Sequence, residues 1–256
     1  MKRIAIVGGA GRMGQAMALG LGSQGDFTVA TLVDVHEPHE KFGADSVRRI
    51  DDVDPSLVDA VVDFSIPESV VSSAKWCGAH AIPLVIGTTG LSPDQRAAVE
   101  EASRTTRIVM ASNFSVGAVL SERFAALAAP YFDRVEIIEL HHDMKVDAPS
   151  GTSLAAAHAI VDARASAGLD PMVDPTTRHT LEGARGADAG DGVRVHSVRL
   201  PGLVAHQEIL FGGPGEGLTI RHDSFDRQSF VHGVALALGS LDSSPGFTLG
   251  IDSFVK

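Results

Sequence analysis

The densest chemistry in the chain lies in one run, Glu139-Leu140-His141-His142-Asp143-Met144-Lys145-Val146-Asp147-Ala148-Pro149-Ser150-Gly151-Thr152. Pro149 biases Ala148 away from helix, and Ser150, Gly151 and Thr152 then precede a long alanine-rich helical pattern. A helix start with a glycine and two hydroxyls offers backbone N–H groups and partial positive charge, which suits an anion such as a carboxylate. Lys145 places a compact cation a few residues away. On spacing alone, the same residues also describe a capped helix after a polar loop, with Lys145 in solvent. His141 and His142 end a strand pattern, so they point to opposite faces and cannot share a metal ion unless the chain turns there. With no cysteine nearby and the other histidines scattered, no metal site is expected.

A second cluster suits a different task. Gly9-Ala10-Gly11-Arg12-Met13-Gly14 fits G-x-G-x-x-G, and Gly8 adds a register of Gly8, Gly11 and Gly14. The motif follows a β-branched run and opens a helical one, the context in which a helix N-terminus can face a pyrophosphate. Asp34 ends the next apolar run, 20 residues beyond Gly14, where a carboxylate can accept both ribose hydroxyls of an adenosine. A tight turn with a solvated aspartate is the plain alternative; the joint context favours a dinucleotide site. Asp34 would repel the 2′-phosphate of NADP, and Val35 and His36 supply no guanidinium to hold it. NADH is therefore expected over NADPH, with Arg12 on the loop working against that preference.

These groups need a scaffold. At 256 residues the chain can build two modest domains or one large one. The net charge of −11, with no basic run, argues against nucleic acid but leaves room for an anionic substrate held by local cations. The single cysteine, Cys77, excludes an intramolecular disulfide and reads as a packed thiol on a helix. The apolar run after Met1 is too short for a signal peptide and none is long enough to span a membrane, so a cytoplasmic protein is expected.

Strand patterns at Lys2–Val7, Phe27–Val33, Val58–Phe64, Leu84–Ile86 and Ile108–Ala111 alternate with helical patterns at Gly11–Leu21, Pro67–His80 and Ser92–Arg104. Each run is apolar enough to be covered on both faces, which implies an α/β, Rossmann-type parallel sheet. Beyond residue 115 the pattern changes. Glu136–Leu140, Val193–Leu200, Val204–Phe211 and Leu218–His222 read as strands of a mixed or antiparallel sheet, with helices at Ser153–Ala167 and Ser229–Leu241, giving a second, α+β domain. Leu169–Gly192 is a polar connection that fits an interface arm or a mobile segment, and Phe247–Lys256 reads only as a tail packed on a subunit.

The run His-His-x-x-Lys followed by Asp-Ala-Pro-Ser-Gly-Thr resembles the signature of dihydrodipicolinate reductases. The likeness extends through Val7–Gly14, Val62–Ser65, Val85–Gly90, Ser112–Ser115 and Ile220–Phe230, and is closest to the actinobacterial branch. It implies reduction of a cyclic imine dicarboxylate on the lysine route by NADH or NADPH. It implies that His141 is the general acid, assisted by Lys145, and that His142 and Lys145 contact substrate carboxylate, with Ser150, Gly151 and Thr152 binding the other end. The resemblance puts Gly8, Gly9, Ala10, Gly11, Arg12, Met13, Asp34, Gly87, Thr88, Thr89, Ala111, Ser112, Asn113 and Phe114 around the cofactor. It further implies a discontinuous cofactor domain (1–114 with 223–256), a substrate-binding and oligomerisation domain (115–222), and a homotetramer; apart from the resemblance, a hinge near Asn113–Gly117 is expected to close on the substrate and exclude water. Met144 and Ile66 depart from the family pattern, which often has His or Asn at the first position and Arg or His at the second. A reductase of another substrate and a nicotinamide-binding sensor without turnover are the alternatives.

Overall fold

The computed structural model describes residues 1–244 and 246–256. The chain forms two units, Met1–Val116 with Arg227–Lys256, and Gly117–Asp226. It opens with β1 (Lys2–Val7), α1 (Arg12–Gly22), β2 (Phe27–Val33), β3 (Asp45–Val47), β4 (Ala60–Asp63), α2 (Pro67–His80), β5 (Leu84–Ile86), α3 (Pro93–Ala102) and β6 (Ile108–Met110). It continues through α4 (Val116–Ala128), β7 (Arg134–His141), α5 (Gly151–Ser166), β8 (Ala187–Asp188), β9 (Arg194–Arg199), β10 (Ala205–Gly213) and β11 (Glu216–Ser224), and ends with α6 (Val231–Ser240) and β12 (Phe247–Leu249).

The first unit carries a seven-stranded sheet in the order β12-β6-β5-β4-β1-β2-β3, and every pairing in it is parallel. Its central strands are buried on both faces: Ile4, Ala5 and Ile6 of β1 and Val61 and Val62 of β4 expose nothing to solvent. Such strands need helices on each side, which is why the apolar runs are continuous rather than alternating. Cys77 is buried in the core with Trp76, Leu84, Ile86 and Val99, and burial pushes its thiol up, so it is a packed side chain.

The second unit carries a mixed sheet in the order β11-β10-β7-β9-β8. β7 runs parallel to β9 and antiparallel to β10, which forms a hairpin with β11. Val135 and Ile137 of β7, Ile209 and Phe211 of β10 and Val195 of β9 share one face, packed against Ala156, Ala157 and Ile160 of α5.

Four elements and one connection differ from the sequence expectation. Helix α4 is apolar almost all round near its start, Val116 to Leu120, so it shows no amphipathic period. β3 and β8 are edge strands of polar composition, too short for alternation to register. The residues read as a tail contain β12, which adds an edge to the first sheet by pairing with β6. The connection from Leu169 to Gly192 is pinned at several points: Met172 is buried and donates its N–H to Asp191 O (2.9 Å), while Arg185 bonds Glu136 (2.5 and 3.2 Å) and Asp174 (3.2 Å).

Helix α6 belongs to the first unit and packs on α1. It also closely approaches the segment after β6: a Cβ at Gly233 would lie 1.9 Å from Phe114 O, a backbone atom that cannot move aside cheaply. Gly233→Ala should therefore cost about 1–3 kcal/mol by overpacking and lower the urea midpoint of unfolding. An unchanged midpoint would show that the two segments do not meet so closely.

Candidate active site

In the first unit the glycine loop joins β1 to α1. Gly8 has φ +82° and turns where a Cβ would lie 2.5 Å from Phe64 O, and a Cβ at Gly14 would lie 2.1 Å from Gly8 O. Bare backbone at both positions is what lets α1 begin directly behind the strand. Gly11 is the N-cap of α1 and contributes no side chain, so the first-turn N–H groups lack a side-chain acceptor. The loop sits where strand order reverses between β1 and β4, the place where open parallel sheets bind ligands.

A cavity of about 510 Å³ opens beside this loop, bounded among others by Gly8, Gly11, Asp34, Phe64 and Arg48. That is ample for part of a dinucleotide. Asp34 accepts the N–H of Ala10 at Oδ2 and that of His36 at Oδ1, both at 3.0 Å. Each carboxylate oxygen keeps a lone pair for a hydroxyl. Val35 and His36 supply no guanidinium beside Asp34, but a neighbouring strand does. Val33 pairs with Val47 across β2 and β3, which sets Arg48 beside Asp34 at the ends of neighbouring strands. Arg48 and Arg49 both line the cavity, and Arg49 is tied to Asp51 at 2.8 Å.

The other residues expected around the cofactor lie at the ends of β1, α1, β5 and β6 in this unit. Arg12, Thr89 and Ser112 are exposed; Thr88 and Ala111 are buried. The Phe114 ring is buried edge-on to Phe64, with centroids 5.9 Å apart, so its side chain acts through packing. The Thr88 hydroxyl points inward to Asp63 Oδ1 (3.1 Å). Asp63 is fully buried at the end of β4 and also accepts from Ser65 and from Ser73 Oγ (2.6 Å). Burial pushes its carboxyl above the ordinary value despite those bonds.

In the second unit, the inward row of β7 changes from Val135 and Ile137 to Glu139 and His141. Glu139 is fully buried. Arg199 at the end of β9 grips it with both terminal nitrogens, Nη1 to Oε2 and Nη2 to Oε1, each at 2.8 Å. His141 Nδ1 is hydrogen-bonded to Oε2 of the same carboxylate. Burial pushes Glu139 up, but bonds from Arg199, Ser197 and His141 outweigh it and hold the carboxyl below its usual range. Burial pushes His141 down, and Glu139 offsets this only in part, while the charges of Lys145 and Arg199 add to the lowering.

The loop after His141 carries the remaining groups. His142 and Met144 are exposed, and Lys145 Nζ bonds both oxygens of Asp147 (2.8 and 2.9 Å). Arg199 Nη2 also donates to Asp147 O (2.7 Å), tying this loop to the buried pair. Ser150 caps α5, its Oγ accepting the Ser153 N–H (3.2 Å), and Ser153 Oγ in turn donates to Gln207 Oε1 (2.6 Å). The Ser150 hydroxyl is thus spent inside, whereas Gly151 is exposed, with nothing within 4 Å of where its Cβ would stand. The roles of Glu139, Arg199, Arg48 and Asp63 do not emerge from the motifs. Only Glu139 leaves a signal, a carboxylate at an inward position of an alternating strand.

Family models describe the same two parts. The N-terminal model of dihydrodipicolinate reductase matches residues 2–114, and the C-terminal model matches residues 117–254. The chain is 46% identical over 253 residues to the 4-hydroxy-tetrahydrodipicolinate reductase of Mycolicibacterium vanbaalenii, covering 98% of this chain and 97% of that one. It is 44% identical over 256 residues to the enzyme of the same name from Nocardia farcinica, covering 99% and 98%. Its structure is similar to a dipicolinate-bound dihydrodipicolinate reductase from Paenisporosarcina sp. TG-14, with a TM-score of 0.86, 36% identity and 99% of each chain covered.

Removing the Ser150 hydroxyl should loosen the start of α5. Ser150→Ala is expected to cost about 1–2 kcal/mol, seen as a lower urea midpoint. Stability equal to the parent would mean the cap carries no weight.

Proposed function

The chain belongs to the dihydrodipicolinate reductase family, and from that premise we propose how its own residues carry the reaction. It is a 4-hydroxy-tetrahydrodipicolinate reductase of lysine biosynthesis that uses a reduced nicotinamide dinucleotide. The observation that carries the residue assignment is the buried Glu139–His141 pair in one unit with Lys145 and an anion-ready helix start. When bound, the nicotinamide supplies a hydride to a ring carbon of the substrate. His141 passes a proton to the neighbouring carbon. Lys145 leaves Asp147, an exposed partner, for a substrate carboxylate, and His142 assists it. The N–H groups of Gly151 and Thr152 receive the other carboxylate, while Ser150 holds the helix start in place.

Gly8, Gly11 and the first turn of α1 cradle the pyrophosphate, and Asp34 takes the adenosine ribose. This carboxylate favours NADH, and Arg48 beside it lets NADPH bind as a weaker alternative. The second-unit sheet supports a homotetramer. The face opposite α5 carries Ile138 and Leu140 of β7 and Leu210 of β10 in half-buried positions.

The test follows NADH absorbance while the unstable substrate is generated in situ by a synthase from aspartate semialdehyde and pyruvate. His141→Gln should lower kcat roughly a hundred- to ten-thousand-fold with cofactor affinity unchanged, and Lys145→Ala should lower kcat and raise KM together. Near-normal turnover in both variants would remove them from the chemistry. For the cofactor, kcat/KM should be higher with NADH than with NADPH. Arg48→Ala should weaken NADPH binding about tenfold and NADH binding by less than twofold, read by cofactor fluorescence. Equal losses for both would mean that Arg48 does not meet the 2′-phosphate.

A further inference from the structure

Glu139 costs the second unit a buried charge, and the motif that includes it gives it no task. Its geometry suggests one. An ionised carboxylate only accepts hydrogen bonds. Glu139 is kept ionised where it sits by the two-pronged grip of Arg199. The ring nitrogen that faces it, Nδ1 of His141, must therefore carry a proton. The proton that His141 can give away is then the one on Nε2.

We propose that Glu139 is the positioning residue of the proton-transfer step, fixing His141 in the form whose Nε2 is the donor. The inference rests on the reading of His141 as the acid. In the step itself, the Nε2–H bond breaks and a C–H bond forms at the substrate carbon, whose electron pair takes up the proton. The imidazolium becomes a neutral imidazole that keeps its Nδ1–H toward Glu139. Solvent restores the Nε2 proton before the next turnover. Arg199 plays a second part, because the nitrogen that holds Glu139 Oε1 also bonds Asp147 O. The acid and the loop that bears Lys145 are thereby set by one rigid guanidinium fork. The register supports this, since β7 and β9 run parallel with His141 opposite Arg199 and Glu139 opposite Ser197.

The sign of the pH effect follows from the charge. Glu139 favours protonated His141, so removing the negative charge makes the imidazolium easier to deprotonate. Glu139→Gln keeps the size of the side chain and one acceptor but loses the charge. It should lower kcat about 30-fold or more, and the alkaline limb of kcat/KM against pH should move to lower pH by about one unit. NADH affinity should stay within twofold. A lowered melting temperature with that limb in place, which a merely structural role would give, overturns the proposal, and so does a kcat within threefold of the parent.

A second measurement on the unaltered protein does not depend on the variant folding. Nitrogen-15 NMR of labelled histidine at alkaline pH, with the His141 signals assigned by their loss in His141→Gln, should show Nδ1 protonated and Nε2 bare. The opposite tautomer would overturn the proposal outright. Should His141→Gln retain turnover while the tautomer is as expected, the acid assignment fails and the Glu139–His141 pairing stands.

Discussion

A carboxylate removed from water costs on the order of several kcal/mol unless its oxygens are satisfied where they sit. This chain buries one near the C-terminal end of a central strand in each unit, Asp63 on β4 and Glu139 on β7. The groups that satisfy them come from the segments that build the sites. Asp63 gathers Ser65 after β4, Ser73 on α2 and Thr88 after β5. Glu139 gathers Arg199 at the end of β9 and His141 at the end of its own strand. In both cases a loop that would otherwise wander is held by the need to satisfy a buried carboxyl.

The two carboxylates differ in what answers them, and their proton affinities differ accordingly. Asp63 meets only neutral donors, hydroxyls and a backbone N–H, so burial prevails and its carboxyl is raised. Glu139 meets a guanidinium as well as neutral donors, and their bonds outweigh its burial and lower it. A charge-assisted, bidentate pair is stronger than neutral hydrogen bonds and fixes direction as well as distance. That difference suits the two settings. Asp63 ties together the turns after β4 and β5, where position alone matters. Glu139 faces a titrating ring, where a stable negative charge also decides which nitrogen holds a proton.

The parallel sheet, the glycine loop and the run from His141 to Thr152 were legible in the sequence because each depends on local rules. Those rules are continuous apolar strands, bare backbone at a tight turn, and a capped helix start. What escaped depends on pairing between distant segments. Arg48 reaches the cavity beside the glycine loop only because β3 pairs with β2 in a register that sets Val47 against Val33, and β3 is too short and polar to announce itself. Arg199 reaches Glu139 only because β9 runs parallel to β7. β12 is flanked by glycines and joins an edge already complete by pattern. Helix α4 shows the opposite failure: its start is so evenly apolar that no face stands out. Glu139 itself is visible as a charge on the inward parity of β7.

A chain with net charge −11 must still gather a dicarboxylate. Distant acidic groups matter little here, because salt screens exposed charges beyond about 8–10 Å. What counts is which nearby cation can be released to the substrate. Lys145 and Arg199 are both paired in this structure, but on different terms. Asp147 has an exposed side chain, so water can replace Lys145 around it at a cost of about 1 kcal/mol or less. Glu139 exposes nothing, and stripping Arg199 from it would leave a buried charge alone, at about 3–5 kcal/mol. The lysine is therefore the cation that can change partners, and the arginine is the one that cannot. In the proposed mechanism, that division would let a single loop exchange an internal carboxylate for a substrate's carboxylate while His141 stays bonded to Glu139.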